Sequence, residues 1–216
     1  MKRIYLLTFA LLISALVGCQ KEPSTDDLYQ EYMVYTAHDT KVNFNQFETY
    51  FLPDSILMIG NSTEAEYWKD ENAQQIIREV ELGLDRGGFT RTQDKSSADV
   101  GVQLSYVKRV TYFVGYDDPY WWWYYPFYWS PGYWGDWLGW YYPYTVAYGF
   151  TQGSMLIEMG NLQKGIEPSQ NIPIVWDTFL GGLLTSSTTA NVERLRTAIR
   201  QAFDQSPYLN RKQPKN

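Results

Sequence analysis

Chemistry needs side chains that hold a proton, a metal ion or a reactive electron pair, and this chain arranges few of them in usable patterns. His38 is the only histidine and Cys19 the only cysteine among 216 residues. A nucleophile–histidine–carboxylate site would have to be built on His38, and no Gly-x-Ser-x-Gly elbow accompanies any serine. His38 lies among polar residues after a strand-like run, where a solvated loop histidine is expected. One histidine and one cysteine cannot make the usual tetrahedral zinc sites. Gly87-Gly88 and Gly181-Gly182 lack the spacing of loops that cradle phosphate. Carboxylates remain, and Asp117, Asp118 and Asp136 stand among Trp and Tyr. Paired acids beside aromatic rings suit glycoside hydrolysis, but that reaction needs two carboxyl groups at a fixed separation on a rigid frame. A segment broken by Pro119, Pro126, Pro131 and Pro143 is a poor frame. The Asp117-Asp118 pair matches no EF-hand spacing for calcium. Asp99 and Glu158 fall inside strand-like runs, at exposed-face or hydrogen-bonded positions. The residues therefore predict a protein that is not an enzyme, with no metal centre and no cofactor.

The three acids belong to an unusual stretch. From Gly115 to Phe150, 19 of 36 residues are Phe, Trp or Tyr, and no Lys or Arg occurs between Arg109 and Lys164. Each such side chain carries about 150–250 Å² of buriable surface. Together they bring roughly 3,000–5,000 Å², whereas a monomer exposes apolar patches of a few hundred. Most of these rings must be covered. Four covers are open to them: their own domain, a protein partner or second copy, a sugar, or the membrane interface. Tyr and Trp dominate protein hot spots, and the same rings make a stacking platform for sugar, with the acids accepting hydroxyl hydrogen bonds. Missing Lys and Arg argue against anionic headgroups. Trp121, Trp122, Trp123, Trp129, Trp134, Trp137 and Trp140, with Asp117, Asp118 and Asp136, are the candidate ligand or partner contacts.

The N-terminus supplies an address. Lys2 and Arg3 precede an apolar run from Ile4 to Val17, the pattern of an export signal. The run is short of the ~20 residues of a membrane span. It ends in Leu16-Val17-Gly18-Cys19, which resembles the lipobox of bacterial lipoproteins. That resemblance implies cleavage before Cys19, diacylation of its sulfur and acylation of the new amine. More than one acyl chain makes a stable anchor. Residues 1–18 are then a cleaved signal and 19–30 a polar, lipidated tether. Gln20, in place of the Asp that marks inner-membrane retention, favours the outer membrane. Whether the protein faces the periplasm or the cell surface is left open.

Loss of Lys2 and Arg3 takes the formal net charge from −6 to −8. An acidic chain without a basic stripe is a poor partner for nucleic acid. The 198 residues from Cys19 onward fit one domain. Residues 210–216 read as a polar tail.

The frame on either side of the aromatic segment is periodic. Tyr32–Ala37 and Glu48–Leu52 are β-rich, and a polar loop follows the second. Ala73, Ile76, Ile77, Val80 and Leu84 predict a helix over 70–85 that Gly87-Gly88 closes. Val100, Val102, Leu104 and Tyr106 alternate against Asp99, Gly101, Gln103 and Ser105, which predicts a strand with one polar face. Met155, Ile157 and Met159 predict another, and 172–179 a third. Val192, Leu195, Ile199 and Phe203 stripe a last helix over 190–205, capped by Thr188 or Thr189. The fold class is α+β: a single two-layer domain over 31–209. Its sheet is mixed or antiparallel, with two amphipathic helices on one face and the long aromatic insertion, 115–150, between strands.

This order resembles the lipoprotein family known as domain of unknown function 4136. The resemblance is carried by Asn43-Phe44-Asn45-Gln46-Phe47-Glu48-Thr49-Tyr50 with Pro53, Arg86-Gly87-Gly88-Phe89, and Ala98-Asp99-Val100-Gly101-Val102. Gly153-Ser154-Met155-Leu156-Ile157-Glu158, Val175-Trp176 and Ser206-Pro207 complete it. It implies an α+β envelope lipoprotein and no activity. The reading is a non-enzymatic outer-membrane lipoprotein with a structural or protein-interaction role. Its partners would be the bacterial membrane, through the lipid anchor, and an envelope protein or a second copy. The alternative is a carbohydrate-binding surface lipoprotein that uses the aromatic segment as its platform.

Overall fold

In the computed structural model, residues 32–59, 65–108, 140–143, 153–163, 172–182 and 186–211 are described, 140 and 141 by their backbone alone. Nine strands and two α-helices are described among them. The strands are β1 (Met33–His38), β2 (Thr49–Phe51), β3 (Ile56–Ile59), β4 (Glu66–Trp68), β5 (Thr90–Arg91), β6 (Val100–Val107), β7 (Trp140–Tyr141), β8 (Met155–Asn161) and β9 (Ile172–Gly181). Helix α1 spans Glu71–Gly87 and α2 spans Thr188–Asp204.

The sheet is mixed. β1, β9, β8 and β6 run antiparallel to one another in that order. Beyond β6 lie two short strands end to end. β2 pairs in parallel with its first residues and β3 with its last, Leu57 against Ser105 through Ile59 against Val107. β5 flanks β2 and β4 flanks β3. β7 runs parallel to the first two residues of β9, Trp140 opposite Ile172.

Both helices form where their apolar stripes predict and pack on one face of the sheet. Asp70 caps α1, its carboxylate accepting from Ala73 N at 3.0 Å, and Gly88 closes it with φ 91°, a conformation that L side chains resist. Ser187, not Thr188 or Thr189, caps α2, because its hydroxyl accepts from Ala190 N. The core joins Ile76, Ile77, Val80 and Leu84 of α1 and Val192, Leu195 and Ile199 of α2 to Val100, Val102, Leu104, Met155, Ile157 and Met159. Glu79 is buried between the helices and receives Arg196 Nε and Arg200 Nη1, each at 3.1 Å.

Strands β3, β4, β5 and β7 lie beyond the sequence expectation. Ile56, Leu57 and Ile59 are buried, with Met58 half-buried, so apolar residues face both sides of the sheet without alternation, and Pro53 reads as the end of a strand. β4, β5 and β7 are too short, at two or three residues, to carry a period.

Candidate functional site

The alternation of β6 predicts a polar face at Gln103 and Ser105, and the structure closes that face to solvent. Gln103, Ser105, Glu158 and Asp177 are all buried there, among Leu57, Ile59, Val107, Leu156 and Phe179. The register places them. Gln103 lies opposite Glu158, and Glu158 opposite Asp177, so an amide and two carboxyl groups form one row across β6, β8 and β9. Ala37 of β1 ends the row. β9 reads as a nearly unbroken apolar run because both of its faces are covered.

The aromatic segment reaches this face at a defined place. It leaves the sheet after Val107 and re-enters at Gly153, where Gly153 N donates to Val107 O and Val107 N to Ser154 O, both at 2.8 Å. Trp140 and Tyr141 pair with Ile172 and Pro173, at the opposite end of β9. The seven residues of β8 rise about 20 Å between those ends. Between them, the hydroxyl of Tyr142 donates to Glu158 Oε1. Tyr142 therefore reaches the buried polar row from the end of β7.

Two carboxyl groups directly opposite on neighbouring strands have Cβ atoms about 4.5–5.5 Å apart. Burial is the larger cause that drives the Glu158 carboxyl well above its usual range, and the adjacent Asp177 adds to it. Sequence reasoning noted Glu158 and set Gln103 on a polar strand face, but missed Asp177 and Tyr142. The available signal was a lone acid inside an apolar run, Ile174-Val175-Trp176-Asp177-Thr178-Phe179, at a position that the strand period sets opposite Glu158.

The remaining polar groups are structural. His38 is not a loop residue: it ends β1, and its ring stacks on Tyr208 with centroids 3.7 Å apart. Burial lowers its pKa, against a smaller upward pull from Asp39. Asp99 stitches β2 to β6. Its Oδ2 accepts from Glu48 N at 2.7 Å and from Thr49 N at 2.9 Å. Burial alone would raise the Asp99 pKa, but these hydrogen bonds, with others from Gln163 and the Thr49 hydroxyl, bring it below the usual value. Two open clefts, of 290 Å³ beside Arg86, Phe203 and Asp204 and of 250 Å³ beside Asp54, Arg91 and Lys95, bring together no catalytic set. Among the described residues, no group of three or more His, Cys, Asp and Glu side chains could hold a metal ion, and no helix is long and apolar enough to cross a membrane.

Of the candidate contacts, Trp140 is placed by its backbone in β7. Cys19, Asp117, Asp118, Trp121, Trp122, Trp123, Trp129, Trp134, Asp136 and Trp137 lie outside the described residues.

Residues 34–208 match the family described as domain of unknown function DUF4136. The chain belongs to that family. It is similar to a DUF4136 family protein from Bacteroides thetaiotaomicron VPI-5482, known from a crystal structure at 1.60 Å. The two share 44% identity over 84% of this chain and 98% of that one, with a TM-score of 0.77. A dodecamer of a PelC variant from Paraburkholderia phytofirmans aligns over 85% of this chain and 100% of that one, at 11% identity and a TM-score of 0.38. None of the curated proteins matches. The stretches by which the chain resembles DUF4136 have structural duties. Asn43 caps the short turn Phe44–Gln46 through Asn45 N. Asp99 ties the start of β2 to β6, Gly88 stops α1, and Glu158 lies at the centre of the second face.

Proposed function

We propose that this DUF4136 protein is a lipid-anchored component of the bacterial outer membrane that acts through binding, not catalysis. The observation that carries the reading is the run Leu16-Val17-Gly18-Cys19 behind a charged start and an apolar stretch. Acyl chains on Cys19 would hold the domain at the membrane through the tether 20–30. The aromatic segment would supply the contact surface for an envelope protein or a second copy. Its fixing to the sheet at β7 and Tyr142 supports that role, since rings presented from a frame bind at a lower ordering cost.

Detergent phase partitioning with radiolabelled palmitate tests the anchor. Label and detergent-phase protein are expected to vanish together in Cys19→Ala, and a Cys19→Ala protein that still partitions with membrane overturns the anchor. Sedimentation across a concentration series, with and without solubilised envelope proteins, tests the contact. A mass that grows in either series supports it. Constant mass together with saturable glycan binding, lost on Trp→Ala changes, replaces it with carbohydrate recognition.

A further inference from the structure

The cleft of 290 Å³ beside Arg86, Phe203 and Asp204 is walled by the last turns of both helices and by the chain from Ser206 to Asn210. We propose that it binds a short zwitterionic peptide, with the peptide ammonium at Asp204 and the peptide carboxylate at Arg86.

The two rims differ in charge. Gly83, Arg86 and Gly87 share one face of α1, and the two glycines leave Arg86 as the side chain that this face brings to the cleft. Its Nε donates to Leu82 O at 3.2 Å. Among the described residues its Nη atoms, the fork that suits a carboxylate, meet no acceptor. At the end of α1 the carbonyls of Gly87 and Gly88 already accept from Arg211. The end of α2 is the opposite case. It has no basic residue in its last turn, and Asp204 adds a full negative charge to a helix terminus that is already negative. Among the described residues the Asp204 carboxylate accepts no hydrogen bond and pairs with no cation, Arg86 included.

The floor between the rims is apolar and held in place. The Phe203 ring stacks on Trp176 with centroids 5.6 Å apart, and it lies so close to Gly83 that a Cβ there would come within 2.2 Å of Cε2. Such a floor needs little ordering when a ligand lands. Because Arg86 and Asp204 do not pair with each other, a ligand bridges them best when its own charges are set apart. Two extended residues span about 7 Å. The volume, just under the roughly 300–1,000 Å³ of most small-molecule sites, leaves room for little more.

Titration of the protein with alanylphenylalanine, followed by backbone amide NMR shifts, tests the site, with the N-acetylated peptide and the peptide amide for comparison. Saturable shifts are expected at Gly83, Arg86, Gly87, Phe203 and Asp204, with a Kd on the order of 1 mM. Blocking either end of the peptide is expected to weaken binding roughly two- to fivefold, the range of exposed ion pairs. The variants assign the ends. In Asp204→Asn, acetylation is expected to cost no further affinity, whereas amidation still does. In Arg86→Gln the reverse is expected. Absence of saturable shifts at these residues up to about 20 mM peptide overturns the proposal. So does equal binding of free and blocked peptides, which would leave an apolar cleft alone, or an acetylation effect that persists in Asp204→Asn.

Discussion

Gly87→Ala tests how the C-terminal turn is held on α1. A Cβ at position 87 would lie 2.8 Å from the backbone oxygen of Leu209, closer than such atoms approach. Leu209 has little room to yield. It is buried, and Arg211 clamps the same turn by donating from its N to Gly87 O at 2.9 Å and from Nη1 to Gly88 O at 2.8 Å. Moving the turn by a few tenths of an ångström loosens both bonds, each a net ~0.5–1.5 kcal/mol. They also satisfy carbonyls that the helix end leaves without partners. Against the loss stands the helix preference for Ala over Gly, at most about 1 kcal/mol. The expected net is a destabilisation of about 1–2 kcal/mol, or a fall in Tm of roughly 2–8 °C for a domain of this size. Urea unfolding of Gly87→Ala, Arg211→Ala and the double variant reads it. If the clash works through the clamp, Gly87→Ala costs at least about 0.5 kcal/mol less once Arg211 is truncated. A neutral or stabilising Gly87→Ala, or strict additivity, would refute the reasoning.

Asp99→Asn should cost about 1.5–3 kcal/mol at pH 7, because the amide replaces a charged acceptor of the Glu48 and Thr49 N–H groups. The folded pKa of Asp99 lies below its ordinary 3.8. The carboxylate therefore stabilises above about pH 3.8, and its contribution fades as pH falls through the folded value. Urea midpoints of wild type and variant should converge towards acid, and a gap that stays constant down to pH 3 would show that ionisation is irrelevant. His38, the only histidine, should titrate below 6.5 by NMR, since burial against Tyr208 disfavours its cation. Its folded value being lowered, the neutral ring's contribution is complete above 6.5 and is lost as pH falls through the folded value. A measured value at or above 6.5 would contradict the packing.

What was legible in the sequence was whatever a single period records. Ile76, Ile77, Val80 and Leu84 face one way along α1, and Val100, Val102 and Leu104 face one way along β6, so both elements and their buried sides follow from spacing. The polar partners of that alternation misled. Gln103 and Ser105 read as a polar face, yet they are buried, because the composition of one strand does not reveal what lies over it. Asp177 escaped for the opposite reason, since in an apolar run a lone acid offers no period to break. Tyr142 stood unremarked among 19 aromatics. Its part depends on a hydrogen bond to a residue 16 positions away, which local spacing cannot express.

The two faces of the sheet differ in what they contribute. On the helix face, apolar stripes meet apolar strands, and Tyr50, Trp176 and Leu180 join them in burial. That is sufficient to account for a folded domain. On the second face a carboxyl pair is buried with an amide and bonded by the half-buried phenol of Tyr142, although apolar side chains of similar volume commonly give equal or greater stability than buried ionisable groups. Stability alone therefore does not explain the row. Glu158 opposite Asp177, both fully buried, requires polar partners that an apolar row would not.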